Sequence, residues 1–218
     1  MTAGAGFILG VDLDDVCADY TAAFREVVAA ERGVDPATLP LERSWDFSEW
    51  DLPARDFERI HQAAVLHHRI FRSMPMVPGA ADALWRLSDA GVWIRIITHR
   101  LYNNWSHAVA VGDTVTWLDA VGIPYRDLCF LGAKPQVEAN CYVDDAPHNV
   151  LALREIGAQV VVFDRPYNRD LDGPRAVDWA EVEQLVGAQV TASGLALQAP
   201  LPGFEDSPNR LHRRLGSS

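Results

Sequence analysis

A chain of 218 residues, 49% hydrophobic and 22% charged, is long enough to bury a substantial core as one domain with room for an inserted subdomain. Its net charge of -11 disfavours nucleic-acid polymers as partners, and no run of about 18 apolar residues is present to cross a bilayer. Three scattered cysteines, without CxxC or Cys/His spacing, argue against a disulfide framework or a zinc site. The opening MTAGAGFILGVDL lacks a basic leader, so the expected location is the cytoplasm.

In chain order, residues 7–11 form an apolar run that ends in Asp12-Leu13-Asp14-Asp15, which predicts a buried strand with acids at its carboxyl end. Residues 17–78 read as an insertion, because Asp12 and the next strand-end residue, Thr98, lie much further apart than the roughly 30 residues of a strand-helix-strand unit. The insertion is predicted to carry helices over 20–31 and 55–72, separated by a segment rich in Pro, Trp and Asp. A helix over 80–90 stops before Gly91, and a strand over 93–97 ends at Thr98. A helix over 106–120 ends before Gly122, strands follow over 129–131 and 141–143, and the latter runs into Asp144-Asp145. A helix over 149–156 stops before Gly157, and a fifth strand over 159–163 ends at Asp164.

Strands alternating with helices predict an α/β fold, a Rossmann-like parallel sheet with helices on both faces and a small helical cap inserted after the first strand. The expected division is a core of residues 1–16 and 79–186, a cap of residues 17–78 over the acids, and a poorly ordered tail of residues 187–218, rich in Gly, Pro and Ser. Ligands of such sheets bind beyond the carboxyl ends of the strands, where the Asp and Thr residues fall.

Asp12 and Asp14, two positions apart at a strand end, point to one side and can hold a hard divalent cation through oxygen. In phosphoryl transfer one acid can attack phosphorus while the other protonates the leaving oxygen and then activates water. Thr98 offers a hydroxyl and a backbone N–H to a phosphate oxygen, and Asp144-Asp145 completes a cation site from another strand. Of 19 basic residues all but Lys134 are arginine, which suggests a compact ammonium that a planar guanidinium cannot replace. There it would neutralise charge in the transition state. Each feature alone has an ordinary explanation as a turn, a cap or a surface acid.

Taken in order, DxD, Thr, Lys and DD, each after an apolar run, resemble the haloacid dehalogenase-like superfamily of phosphatases. The DxDx(V/T) motif stands here as Asp12-Leu13-Asp14-Asp15-Val16, with Thr98, Lys134 and Asp144-Asp145 in the later positions. The resemblance implies Mg2+ as cofactor, Asp12 as nucleophile, and Asp14 as general acid/base with its backbone carbonyl on the metal. It also implies Asp145 as a direct metal ligand and Asp144 as a support for the metal site. Within the superfamily, VDLDDVCADY, CYVDDAPHNV and FDRPYNRDL followed by Trp179 are similar to the pyrimidine 5'(3')-deoxyribonucleotidase family of the cytosolic and mitochondrial type. That resemblance implies a magnesium-dependent, 5'-nucleotidase-like phosphatase acting on a (deoxy)nucleoside monophosphate through an aspartyl phosphate. Asp15 stands where these relatives usually have glycine, and a positive φ there suits Asp less well than Gly.

Substrate binding is expected from Thr98, His99, Lys134 and the cap, where Trp45, Phe47 and Trp50 crowd together. These rings either stack on a nucleobase or pack the cap's own core; packing is the preferred reading, with Trp45 and Phe47 kept as substrate-binding candidates. His67-His68 reads as helix surface, and Arg100 and Arg169 as arginines able to meet a phosphate or sugar. No nucleic-acid polymer or membrane partner is expected, and a homodimer is left open. A signalling receiver domain is disfavoured by the order of the motifs. A catalytically altered relative that binds a nucleotide or protein, and a phosphatase for a non-nucleotide ester, remain as alternatives.

Overall fold

The computed structural model describes residues 6–101 and 106–197. Among them, six strands form one parallel sheet in the order β3-β2-β1-β4-β5-β6: β1 (Ile8–Val11), β2 (Trp93–Thr98), β3 (Asp127–Phe130), β4 (Cys141–Asp144), β5 (Gln159–Phe163) and β6 (Arg175–Ala176). Helices α4 (Ala80–Asp89), α5 (His107–Val121), α6 (Pro147–Glu155) and α7 (Trp179–Ala192) connect or follow the strands of this α/β core. The central strand β1 pairs Val11 with Ile96 on one side and Val143 on the other, so the chain reverses its direction of travel across the sheet between β1 and β4. A crevice opens at such a switch point. Gly10 lets the sheet centre close: a Cβ there would lie 2.8 Å from the side chains of Ile97 and Tyr142.

The inserted residues leave and re-enter the core side by side. The Asp19 N–H donates to the Pro75 carbonyl and the Val77 N–H to the Cys17 carbonyl, each at 2.8 Å, around an antiparallel bridge between Ala18 and Met76. On this stalk stand α1 (Tyr20–Arg32), α2 (Ala54–Leu66) and α3 (Ile70–Ser73). Asp19 caps α1 by accepting the Ala22 N–H at 2.9 Å. Phe24, Phe47, Trp50, Phe57 and His61 pack ring against ring between α1 and α2, and the Trp50 indole donates to the Pro40 carbonyl at 2.8 Å.

Three expectations need correction. The single helix over 55–72 is two: α2 stops at Leu66, and Arg69 turns the chain at φ 53 so that its guanidinium clamps Asp113 of α5 with two bonds of 2.6 Å. His67 and His68 sit at that break, where His68 approaches Glu31 at 3.4 Å. The two-residue strand β6 is too short to leave a periodic pattern. Helix α7 runs past Val186 to Ala192, because Val182, Val186 and Val190 recur every four residues and are buried on one face. Of the expected tail, residues 198–218 lie outside the described residues. No helix among the described residues is long and apolar enough to cross a membrane.

Candidate active site

The Asp12 N–H continues the ladder by donating to the Val143 carbonyl at 3.0 Å, which sets its carboxylate at the rim of the β1–β4 crevice. The chain then winds around one acceptor: the Leu13 carbonyl takes the N–H groups of Val16, Cys17 and Ala18 at 3.3, 2.8 and 2.8 Å. This tight loop carries Asp14, whose carboxylate meets Arg100, and puts Asp15 at φ 57.

Lys134, in a 3-10 turn after β3, is 2% exposed. Its Nζ lies 2.6 Å from Asp12 Oδ1 and 2.5 Å from Asp144 Oδ2. The other Asp144 oxygen accepts the Ala146 N–H at 3.0 Å and the Asn149 amide at 3.3 Å, which fixes that carboxylate within the turn into α6. One oxygen each of Asp12, Asp144 and Asp145 lie within 4.8 Å of one another. Burial pushes the Asp12 carboxyl up to about 7, against the pull of Lys134 and with the repulsion of Asp144 and Asp14. Burial likewise holds Asp145 well above the usual carboxylate range, and Asp12 and Asp144 add to it. Burial works against the charge on Lys134, yet Asp12 and Asp144 hold its pKa above the ordinary lysine value. Lys134 pairs with Asp12 and Asp144 and not with the third carboxyl of the cluster, Asp145, and the all-oxygen donor set of the three suits a hard divalent cation.

Residues 6–193 match the family of 5' nucleotidase, deoxy (pyrimidine), cytosolic type C protein (NT5C). The chain belongs to this family. As a member it is a phosphoric monoester hydrolase with a haloacid dehalogenase-like fold. A protein of Chlorobaculum tepidum provisionally named 5'(3')-deoxyribonucleotidase is 44% identical over 187 residues, covering 84% of this chain and 92% of that protein. One of Bordetella pertussis with the same provisional name is 26% identical over 192 residues, covering 84% and 97%. Among solved structures, a haloacid dehalogenase family hydrolase from Deinococcus radiodurans with bound phosphate and sodium is 18% identical, with a TM-score of 0.56 over 89% of this chain and 100% of that one. A haloacid dehalogenase-like protein of unknown function from Agrobacterium tumefaciens has the same TM-score at 16% identity, over 85% and 100%. These two likenesses concern the fold alone.

Above the carboxylates the protein has a cavity of about 1030 Å³, lined from the sheet edge by Asp12, Asp14, His99, Arg100 and Asp145 and from the cap by apolar and aromatic side chains together with the polar Arg43, Asp46, Ser48 and Asp51. Such a volume is at the upper end for a small-molecule pocket. Lys134, Asp144 and Thr98 stand behind that lining, and the fully buried Thr98 hydroxyl accepts the Arg100 N–H at 3.3 Å. Asp14 does not join the acidic cluster with its carboxylate. Arg100 takes it, with Nη2 2.7 Å from Oδ1 and Nε 3.2 Å from both oxygens. His99 lines the cavity with a buried Nε2 that has no partner among the described residues. Burial and the Lys134 charge push its pKa down to about 4, so the ring is neutral at physiological pH.

The aromatic trio divides. Trp50 is 1% exposed and belongs to the cap core; Phe47 is buried there too but also lines the cavity. Trp45 is 46% exposed and lies at the cavity wall with its ring 5.3 Å from those of His148 and Tyr167. Arg169 pairs with Glu42 at 3.0 Å on the surface, away from the cavity lining. Sequence reasoning missed Arg43, His148 and Tyr167, all cavity residues. For Tyr167 a signal existed, since it follows β5 on the same edge of the sheet as the acids.

Proposed function

We propose that this phosphoric monoester hydrolase is magnesium-dependent and hydrolyses a small phosphate monoester, a (deoxy)nucleoside monophosphate, through an aspartyl phosphate on Asp12. The observation that carries the reading is the buried Lys134 bridging Asp12 and Asp144 beside a cavity large enough for such a substrate. A divalent cation held by Asp12, Asp145 and the Asp14 carbonyl, with Asp144 in support, would supply positive charge to the phosphoryl oxygens.

Asp12 attacks phosphorus as the ester P–O bond breaks, and the departing oxygen takes a proton from Asp14. Asp14, now a carboxylate, removes a proton from water as that water attacks the same phosphorus. The bond to Asp12 breaks, inorganic phosphate leaves, and Asp14 is protonated again. Lys134 offsets the charge on Asp12 and on the transferring oxygens, and Arg100 keeps Asp14 oriented between the two half-reactions. His99 acts at the phosphate end with Thr98 behind it, while Trp45 and Phe47 offer rings to the leaving group.

The test is phosphate release from a panel of deoxynucleoside and nucleoside monophosphates, sugar phosphates and aryl phosphates. Turnover is expected with magnesium, none in chelator, and a loss of more than about a thousandfold in Asp12→Asn with the circular dichroism spectrum retained. Full activity in chelator, or a turning-over Asp12→Asn enzyme, would overturn the mechanism. A preference for non-nucleotide esters would overturn the substrate.

A further inference from the structure

We propose that Tyr167 is a positioning residue for the cation site, and that Asp15 and Arg43 tie it to the cap, so that cation affinity depends on a cap residue that touches no cation ligand. The proposal rests on the reading of Asp145 as a ligand.

Tyr167 sits in a 3-10 turn, Pro166–Asn168, after β5. The turn is tied down from both sides: the Asn168 amide donates to the Asp145 and Phe163 carbonyls at 2.8 Å each, and Arg175 donates to the Asn168 side chain and carbonyl at 2.7 and 2.8 Å. The phenol held there reaches two carboxylates. Its O–H donates to Asp145 Oδ2, and the same hydroxyl lies 3.0 Å from Asp15 Oδ2. A phenol has one proton, so one carboxylate takes it at the expense of the other.

Asp15 is supplied from elsewhere. It accepts the Thr21 N–H at 2.8 Å, the Thr21 hydroxyl at 2.7 Å and the Arg43 guanidinium at 3.1 Å. Arg43 comes from the cap, is 4% exposed, and lies between the Phe47 ring of the cap, 3.9 Å away, and the Tyr167 ring of the core, 4.5 Å away. Asp15 thus has a full set of donors and leaves the Tyr167 proton to Asp145, whose carboxylate is held facing Asp12 and Asp144. Loss of the Arg43 charge makes Asp15 a competitor for that proton and releases Asp145. The positive φ of Asp15 is the backbone condition for the device, because it turns the carboxylate towards Thr21 and Arg43.

Magnesium binding by isothermal titration calorimetry, with folding checked by thermal melts, tests this in wild type, Tyr167→Phe, Arg43→Met and the double variant. Tyr167→Phe is expected to weaken Mg2+ binding by about tenfold or more, the range for loss of a partner that orients a metal ligand. The defect should fall on the magnesium activation constant more than on kcat, because the phenol touches no reacting atom. Arg43→Met should weaken binding as well, and the double variant should be no weaker than Tyr167→Phe alone. Unchanged affinity in a folded Tyr167→Phe protein, or additive losses in the double variant, would overturn the proposal. Failure of the wild type to bind Mg2+ would instead overturn the reading of the cation site. Should Arg43→Met not fold, Asp15→Asn carries the same test with opposite sign: without the rival carboxylate, affinity stays at or above the wild-type value, and a tenfold loss refutes the competition.

Discussion

Acidification should loosen this protein through His61. The imidazole lies among the rings of Phe24, Phe57 and Phe71, with centroids 6.0, 5.5 and 6.2 Å away, and its Nδ1 is 2.9 Å from the Tyr20 hydroxyl. Burial pushes its pKa from 6.5 down to about 4, with Asp14 opposing and Arg100 assisting. The unfolded chain therefore binds a proton that the folded chain refuses. The stability tied to neutral His61 is complete above pH 6.5 and drains away as the pH falls towards 4. Linkage over that interval gives a loss of about 2 kcal/mol by about pH 5. The assay is urea unfolding at about pH 7.5 and about pH 5, for wild type and for a double variant with Tyr20→Phe and His61→Phe. Changing both partners leaves no buried polar atom unpaired, and acid effects common to both proteins cancel in the comparison. Wild type should lose about 2 kcal/mol more than the variant between the two conditions. Parallel losses would show that the imidazole is not held neutral and would refute the reasoning.

Lys134→Met leaves Asp12 and Asp144 buried without a counter-charge and is expected to cost about 3–5 kcal/mol at neutral pH, read by denaturant unfolding. A variant as stable as wild type would mean that the ammonium is not the partner of both acids. Trp45→Ala, at a half-exposed ring on the cavity wall, should raise the KM for a nucleotide by about tenfold with kcat and the melting temperature nearly unchanged. Trp50→Ala should instead destabilise the protein by about 3–5 kcal/mol, because that ring fills the cap core. Equal effects of the two substitutions on KM would contradict the division of roles.

The α/β fold and its family were legible because their signals are local. Apolar runs of strand length, each followed by a chemistry-bearing residue, placed the carboxyl edge of the sheet, and the isolated Lys134 marked a position where charge type mattered. The helix break near Arg69 was not legible: the apolar spacing continues across it, and the turn exists because Asp113, on a different helix, receives the guanidinium. The end of the last helix was misplaced for a related reason, since Gly187, Gln189 and Thr191 dilute the average while Val190 keeps the buried face.

By itself, then, the chain's order of residues determined which acids, which hydroxyl and which single ammonium reach one rim of the sheet, since strand ends follow from periodicity and turn chemistry. Only the tertiary structure decided the pairings among them. Asp14 turns to Arg100 across 86 positions, Asp15 to Arg43 across 28, and Asp145 to Tyr167 across 22. Each choice is made by burial and by competition for donors once the cap stands over the crevice, and neither has a counterpart in the local pattern.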